Sequence, residues 1–289
     1  MLGSDLNELF EFTNNELEKS ALWFKANKLT LNVKKTKFMI FSDTNIDIGD
    51  NKLIIGNTTI DQIGKSCKDK YFKFVGHVLD DKLSWEGHIE YITKKLASAN
   101  FAINSSKHFL PLDVRKKIYY SLFDSHLNFG NLLWGCAKRK AIQKIENLQK
   151  KCIRNIALKN FRSHTEPVFK DLGILKFADR IAYNRSIFMH KYRNKKLPTS
   201  FSGIFQDASF NGLTQNRHND YNYNPMPATK KHLENFPLKQ IIFNWNSLSL
   251  ELKATSEPAE FGSMLKRYYL SKYNLETECS NNCFICNSY

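Results

Sequence analysis

Residues 71–96, YFKFVGHVLDDKLSWEGHIEYITKKL, change character half-way along, and that change decides the fold class. Tyr71 to Asp80 is rich in aromatic and β-branched residues and reads as a strand. From Trp85 the apolar residues Ile89, Ile92, Leu96, Ala99 and Ile103 fall at three- and four-residue steps, the spacing of a helix with one buried face. The run on the N-terminal side is β-prone and the run on the C-terminal side is helical. That order points to an α+β chain.

Upstream of the junction, Asp5 to about Asn27 places Leu6, Leu9, Phe10, Leu17 and Phe24 at helical spacing, with Asp5, Glu8 and Glu11 early and Lys25 and Lys28 late, as a helix dipole favours. Short β-prone runs follow: LTLNV from Leu29, FMIF from Phe38, KLII from Lys52 and TTI from Thr58. The last two, joined by Gly56 and Asn57, read as a hairpin with a two-residue turn. Downstream, one helix is expected through Val114, Ile118, Tyr119, Leu122 and Phe123. Another runs through Ile142, Ile145, Leu148, Cys152, Ile153 and Ile156, with later ones near Pro167 to Leu172 and Phe177 to Tyr192. Pro111, Gly173 and Pro198 punctuate them. From about Ser200 to Lys239, Asn, Pro and aromatic residues predict irregular chain whose aromatics anchor it to a surface. A helix-prone stretch, Phe261 to Tyr273, and a cysteine-bearing tail close the chain.

The 289 residues carry 43 Lys+Arg and 28 Asp+Glu, a formal charge of +15 that favours a polyanionic partner. A hydrophobic fraction of 42% excludes a wholly disordered chain. There is no apolar stretch of the roughly 18 residues that a membrane span needs. The N-terminus MLGSDLNELF is acidic where a signal peptide would be basic and then apolar. A soluble, intracellular protein with no membrane partner is expected, its oligomeric state open. Cys67, Cys136 and Cys152 are isolated, so no disulfide framework is expected.

Four features could carry chemistry. On the helix from Lys138 to Leu158, counting about 100° per residue puts Lys144, Lys151 and Arg154 within roughly 40° of Lys140, opposite the apolar arc. No acid lies on that face, which would suit tracking phosphates, although a solvated helix face has the same composition. Lys34, Lys35 and Lys37 sit between two short β-prone runs and suit phosphate contact or a solvated turn. Asp80 and Asp81 form an adjacent acid pair after a strand, as two-metal enzymes require, but the sequence DDKLSW reads more readily as a turn. The tail offers Cys279, Cys283 and Cys286 as soft ligands for Zn²⁺, one short of a closed site. A Gly-rich phosphate loop, a nucleophile elbow and an HExxH motif are all missing from the sequence.

Read in order, the motifs LWFKANKLTLNVKKTKFMIF, YFKFVGHVLDDKLSWEGHIEYITKKL, HFLPLDVRKKIYYSLFDSHLNFGNLLWG, IENLQKKCIRNI and HTEPVFKDLGILKF, with TKK and FNWNSL further on, resemble the downstream part of reverse transcriptases of non-LTR (LINE-type) retrotransposons. The resemblance implies an antiparallel β palm remnant (1–81), a mostly α-helical thumb-like region (82–198) and an irregular C-terminal extension (199–289). It implies that Lys35 is the palm-end lysine that donates a proton to pyrophosphate, with Lys34 and Lys37 as alternatives. Phe74, Val75, Gly76 and His77 would lie against the primer end, and the thumb helices would grip an RNA–DNA or DNA duplex. Mg²⁺ is implied for the full-length enzyme. Its ligands in the family are an earlier palm Asp and a [YF]xDD hairpin, which these 289 residues do not contain. The chain alone is therefore expected to be inactive as a polymerase and to act as a nucleic-acid-binding module, or else to be an unstable element-derived fragment.

Overall fold

The computed structural model describes residues 5–42, 46–64, 67–208, 221–224 and 236–273. They are mostly helical, with a few short strands, and divide into two compact units, Met1–His88 and Ile89–Tyr289.

In the first unit α1 (Leu6–Ala26) starts where Asp5 Oδ1 accepts from the backbone N–H groups of Asn7 and Glu8, at 2.7 and 3.1 Å. That satisfies two of the donors a helix start leaves open. Its inward face packs Phe10 with Leu53, Ile55 and Ile60. Strands β2 (Ile54–Ile55) and β3 (Thr58–Thr59) form the expected antiparallel hairpin, with Gly56 at φ +59° in its turn. Asn14 of α1 clamps β2 by donating to Lys52 O (2.9 Å) and accepting from Ile54 N (3.0 Å).

Three strand expectations are corrected. LTLNV is not a strand: Asn32 Oδ1 accepts from Lys35 N at 3.2 Å and closes a 3₁₀ turn over Val33–Lys35, the local side-chain alternative that Asn offers to a ladder. Strand β1 (Lys37–Met39) pairs in parallel with β4 (Asp61–Ile63), so the strands, which form three separate two-stranded sheets, are not all antiparallel. Tyr71 to Asp80 is not one strand but two, β5 (Phe72–Phe74) and β6 (His77–Leu79), paired antiparallel. Val75 at φ +43° and Gly76 at φ +81° make the tight turn between them. Both central residues are left-handed, as this hairpin class demands, and a β-branched residue seldom takes that conformation.

The second unit is helical from α2 (Glu86–Ser106) onward. Helix α3 (Leu112–Ile118) continues through a π-helical stretch (Tyr119–Asp124) into α4 (Ser125–Asn128), and α5 (Asn131–Trp134) follows. Arg115, Tyr119, Phe123 and Leu127 are all buried along this run. Next come α6 (Arg139–Ile156), α7 (Glu166–Leu172) and α8 (Phe177–Arg193). Helix α8 has no cap from its own preceding residue; two distant side chains do that work. Gln149 Oε1 of α6 accepts from Phe177 N at 2.8 Å, and the Tyr273 hydroxyl accepts from Lys176 N at 2.9 Å.

Helices α9 (Pro237–Asn246), α10 (Leu250–Ala254) and α11 (Pro258–Ser271) build a core with α8 around Met189, Ile241, Trp245, Phe261 and Leu265. This core is shared across residue 198 by described residues on both sides of it. Within the region expected to be irregular, residues 221–224 are tied down by α9. Asn246 bonds both the N–H and the carbonyl of Tyr223, at 3.1 and 2.8 Å, and Trp245 Nε1 donates to Tyr221 O at 2.7 Å. Tyr223 is buried, so an aromatic anchors this segment as expected. Among the described residues no helix is long and apolar enough to cross a membrane.

Candidate nucleic-acid interface

Helix α6 separates its two faces as the residue count implied. Ile142, Ile145, Cys152, Ile153 and Ile156 are buried, and Lys140, Lys144 and Lys151 are exposed. None of the three lysines forms an ion pair with a described residue. The acid nearest this stripe in the helix, Glu146, is held off it by a two-pronged bond to Arg139, at 2.7 and 2.8 Å. At 1.5 Å per residue the stripe is roughly 16 Å long, about five base-pair steps of 3.4 Å.

Arg154 does not stand with these lysines. It is 8% exposed and donates from Nε to Ser163 O at 2.8 Å, with Phe161 6.0 Å from its guanidinium. Leu158, at φ +53°, ends the helix, and the loop that follows is fastened over the arginine. Leu148 is only half-buried, and the centre of the buried arc is taken by a polar residue, Gln149, 1% exposed.

The lysine cluster of the first unit also divides. Lys34 and Lys35 are exposed on the 3₁₀ turn. Lys37 is half-buried and paired with Asp61, its partner in the β1–β4 register; the hydrogen bond from Lys37 holds the Asp61 carboxyl below its ordinary range. Lys37 is thus spent on the strand pair, and Lys34 and Lys35 are the two lysines of the cluster that stand exposed.

At the tip of the β5–β6 hairpin Phe74 is 57% and Val75 72% exposed, an apolar surface beside Gly76. His77 turns inward instead, with its ring 5.1 Å from His88 and 6.3 Å from Trp85. His88 is buried and its Nδ1 accepts from Val78 N at 3.2 Å. Burial, with the charge of His77 beside it, lowers the His88 imidazole to about 4. A base whose folded pKa lies below its unfolded value stabilises the fold above the unfolded pKa, and that stability is lost as pH falls through the interval between the two. Urea unfolding of the first unit should therefore show a falling midpoint from about pH 6.5 towards 4. The His88→Asn variant, which keeps an acceptor for Val78 N, should flatten that slope.

Asp80 is a structural residue. Its Oδ1 accepts from Lys82 N and Ser84 N at 3.1 and 3.0 Å, and its Oδ2 from the Ser84 hydroxyl and Trp85 N at 3.0 and 3.2 Å. The turn it holds carries Leu83 and Trp85 at positive φ, +48° and +63°, so the carboxylate offsets backbone strain. Asp80→Ala should destabilise the first unit by about 3 kcal/mol in a denaturant titration, since several charge-assisted bonds and a strained turn go together. A loss below about 1 kcal/mol would contradict this role.

Among the described residues no three His, Cys, Asp or Glu side chains come together as a metal site. Cys279, Cys283 and Cys286 lie outside the described residues. Cys67, Cys136 and Cys152 are free thiols, and burial pushes the Cys152 thiol well up.

One feature escaped the residue pattern. Phe101 on α2 and Phe161 after α6 stand 69% and 72% exposed on the rim of a groove that also holds Lys107, Lys151 and Lys159. The signal for it was Phe101 itself. It falls off the Ile92, Leu96, Ala99, Ile103 stripe and so had to face away from the core.

Over 114 residues the chain is 29% identical to the RNA-directed DNA polymerase from mobile element jockey of Drosophila melanogaster, and over 113 residues 27% identical to the same-named protein of Drosophila funebris. The chain is a distant relative of these reverse transcriptases. Each match covers 38% of this chain and 12% of the relative. No family model matches the chain, and no solved structure matches it.

Proposed function

We propose that this chain is a part of a non-LTR reverse transcriptase that holds nucleic acid, gripping an RNA–DNA or DNA duplex by its backbone through the outer face of α6. The observation that carries the reading is the stripe of Lys140, Lys144 and Lys151, exposed and without ion pairs among the described residues. Such a stripe contacts phosphates and reads no bases, so binding should be strong at low salt, fall steeply as salt rises and show little sequence preference. In this reading residues 1–81 correspond to the end of a palm, 82–198 to a thumb-like region and 199–289 to a C-terminal extension. Lys35, with Lys34 beside it, would face the phosphates of an incoming nucleotide, and the apolar tip at Phe74 and Val75 would lie along the primer. Asp80, fully engaged with its own turn, offers no ligand for the Mg²⁺ pair of phosphoryl transfer. The chain by itself binds and positions, and it does not polymerise.

The test is fluorescence anisotropy of a labelled, blunt RNA–DNA hybrid against the 289-residue chain across a salt series. A dissociation constant that does not change with salt would overturn the proposal. So would template-dependent, Mg²⁺-dependent dNTP incorporation by the purified chain overturn its non-catalytic half.

A second reading, an unstable fragment, is favoured by Phe12, Leu22, Trp23, Leu29 and Phe41, all exposed in the first unit. A cooperative thermal melt of the chain would remove it.

A further inference from the structure

The groove between α2 and α6 has a chemistry different from the lysine stripe. Its volume is about 480 Å³, within the range of small-ligand sites. Every charged residue that lines it is cationic: Lys107, Lys151, Arg154 and Lys159. Its two aromatic residues, Phe101 and Phe161, are more than two-thirds exposed, although both stand beside helices with well-filled cores.

The floor between them is ordered by hydrogen bonds to side-chain amides. Asn155 of α6 donates from Nδ2 to Asn100 Oδ1 of α2 at 3.0 Å. Lys107 Nζ donates to Asn104 Oδ1 and Asn155 Oδ1 at 2.9 and 3.1 Å. These bonds tie one wall to the other and hold the Lys107 ammonium in place. Arg154, fastened to Ser163, lies 6.0 Å from the Phe161 ring and sets the position of the loop that carries it.

We propose that this groove binds unpaired nucleic acid, with bases stacked on Phe101 and Phe161 and the intervening phosphates on Lys107, Lys151 and Lys159. The inference rests on the nucleic-acid reading above and adds a second subsite with a different ligand form. Cationic lining without a carboxylate selects a polyanion. Exposed aromatic faces then select one whose bases are free, because in a duplex each base face is covered by its neighbour and only edges and backbone are offered. Alternation of aromatic platforms with backbone cations is how single strands are held without sequence readout. Lys151 belongs to both the outer stripe and the groove wall, so a single strand leaving a duplex on α6 could enter the groove without a gap in positive charge.

The experiment uses the whole chain and three labelled probes: oligo(U) and oligo(dT) of about 12 nucleotides, each with one central 2-aminopurine, and a blunt RNA–DNA hybrid. Wild-type protein should bind both single strands and quench the 2-aminopurine. The Phe101→Ala/Phe161→Ala double variant should lose roughly tenfold or more in single-strand affinity, together with the quench, as two stacking platforms imply. Its hybrid affinity should change less than about twofold, because the outer stripe is intact. Phe101→Tyr/Phe161→Tyr should restore single-strand binding, and an unchanged melt of the alanine variant shows that the fold persists.

Single-strand affinity and quench that survive the alanine pair, with normal hybrid binding, overturn this inference and leave the proposed function standing. An equal loss on single strand and hybrid overturns it as well, since the phenylalanines would not then distinguish the two. Failure of the wild-type chain to bind any of the three probes overturns both readings.

Discussion

Reversing Lys140, Lys144 and Lys151 to glutamate should lower affinity for an RNA–DNA hybrid by at least about a hundredfold at low salt and flatten its salt dependence. The slope of log affinity against log salt is about 0.9 per phosphate contact, so three contacts carry about 2.7. Over a fourfold rise in salt that slope is worth about 40-fold in affinity, and the triple variant should lose this part of the decline. The three side chains are exposed and without ion pairs among the described residues, so the fold should be unaffected. The checks are anisotropy titrations across a salt series and a thermal melt. An unchanged slope would remove the face from the binding surface, whatever happened to affinity at one salt concentration.

The second large effect concerns stability. Gln149→Ala should cost the second unit about 3–5 kcal/mol, read from denaturant midpoints. The side chain is buried and makes three bonds: Nε2 donates to the Tyr119 hydroxyl and to Leu175 O, both at 3.0 Å, and Oε1 accepts from Phe177 N at 2.8 Å. Truncation opens a cavity at the centre of α6's packed face and strands the first N–H of α8 in a place water does not reach. Gln149→Leu refills the volume but restores none of the bonds, so about 2–3 kcal/mol of the loss should remain. A leucine variant as stable as the wild type would show that apolar packing alone holds these helices together.

That glutamine also shows where reading the residues reaches its limit. The long helices were legible because their apolar spacing repeats over many turns, and the β2–β3 hairpin because Gly56 and Asn57 suit a left-handed turn; α5, α9 and α10, of four, ten and five residues, were too short to show such a repeat and were not expected. The β5–β6 hairpin was hidden by Val75, which takes a conformation that its branched side chain argues against. The parallel β1–β4 pair was hidden because strands of three residues carry no pattern that specifies a partner.

At the interface the division is similar. Periodicity placed Lys140, Lys144 and Lys151 correctly on the surface, since they sit well within the polar arc of one helix. It put Arg154 with them because helix counting does not see the loop after Leu158 folding over that residue. Gln149 lies in the middle of the apolar arc, where periodicity gives a polar side chain no role; only Tyr119, Leu175 and the start of α8, brought opposite by the fold, give it partners. The groove needs Phe101 and Phe161, sixty residues apart in the chain, and no local pattern joins them.

The π-helical stretch from Tyr119 to Asp124 works like a vernier. Arg115, Tyr119, Phe123 and Leu127 are buried at steps of four. On an α-helix each step of four overshoots a full turn by about 40°, so such a row winds steadily away from whatever it packs against. A π turn advances only roughly 80° per residue, and a step of four within it falls short by about as much. Two overshoots and one shortfall leave the four bulky side chains within about 40° of one another, where a uniform helix would have spread them over about 120°. Leu122, which uniform counting assigns to the core, is left 46% exposed as the remainder of that correction.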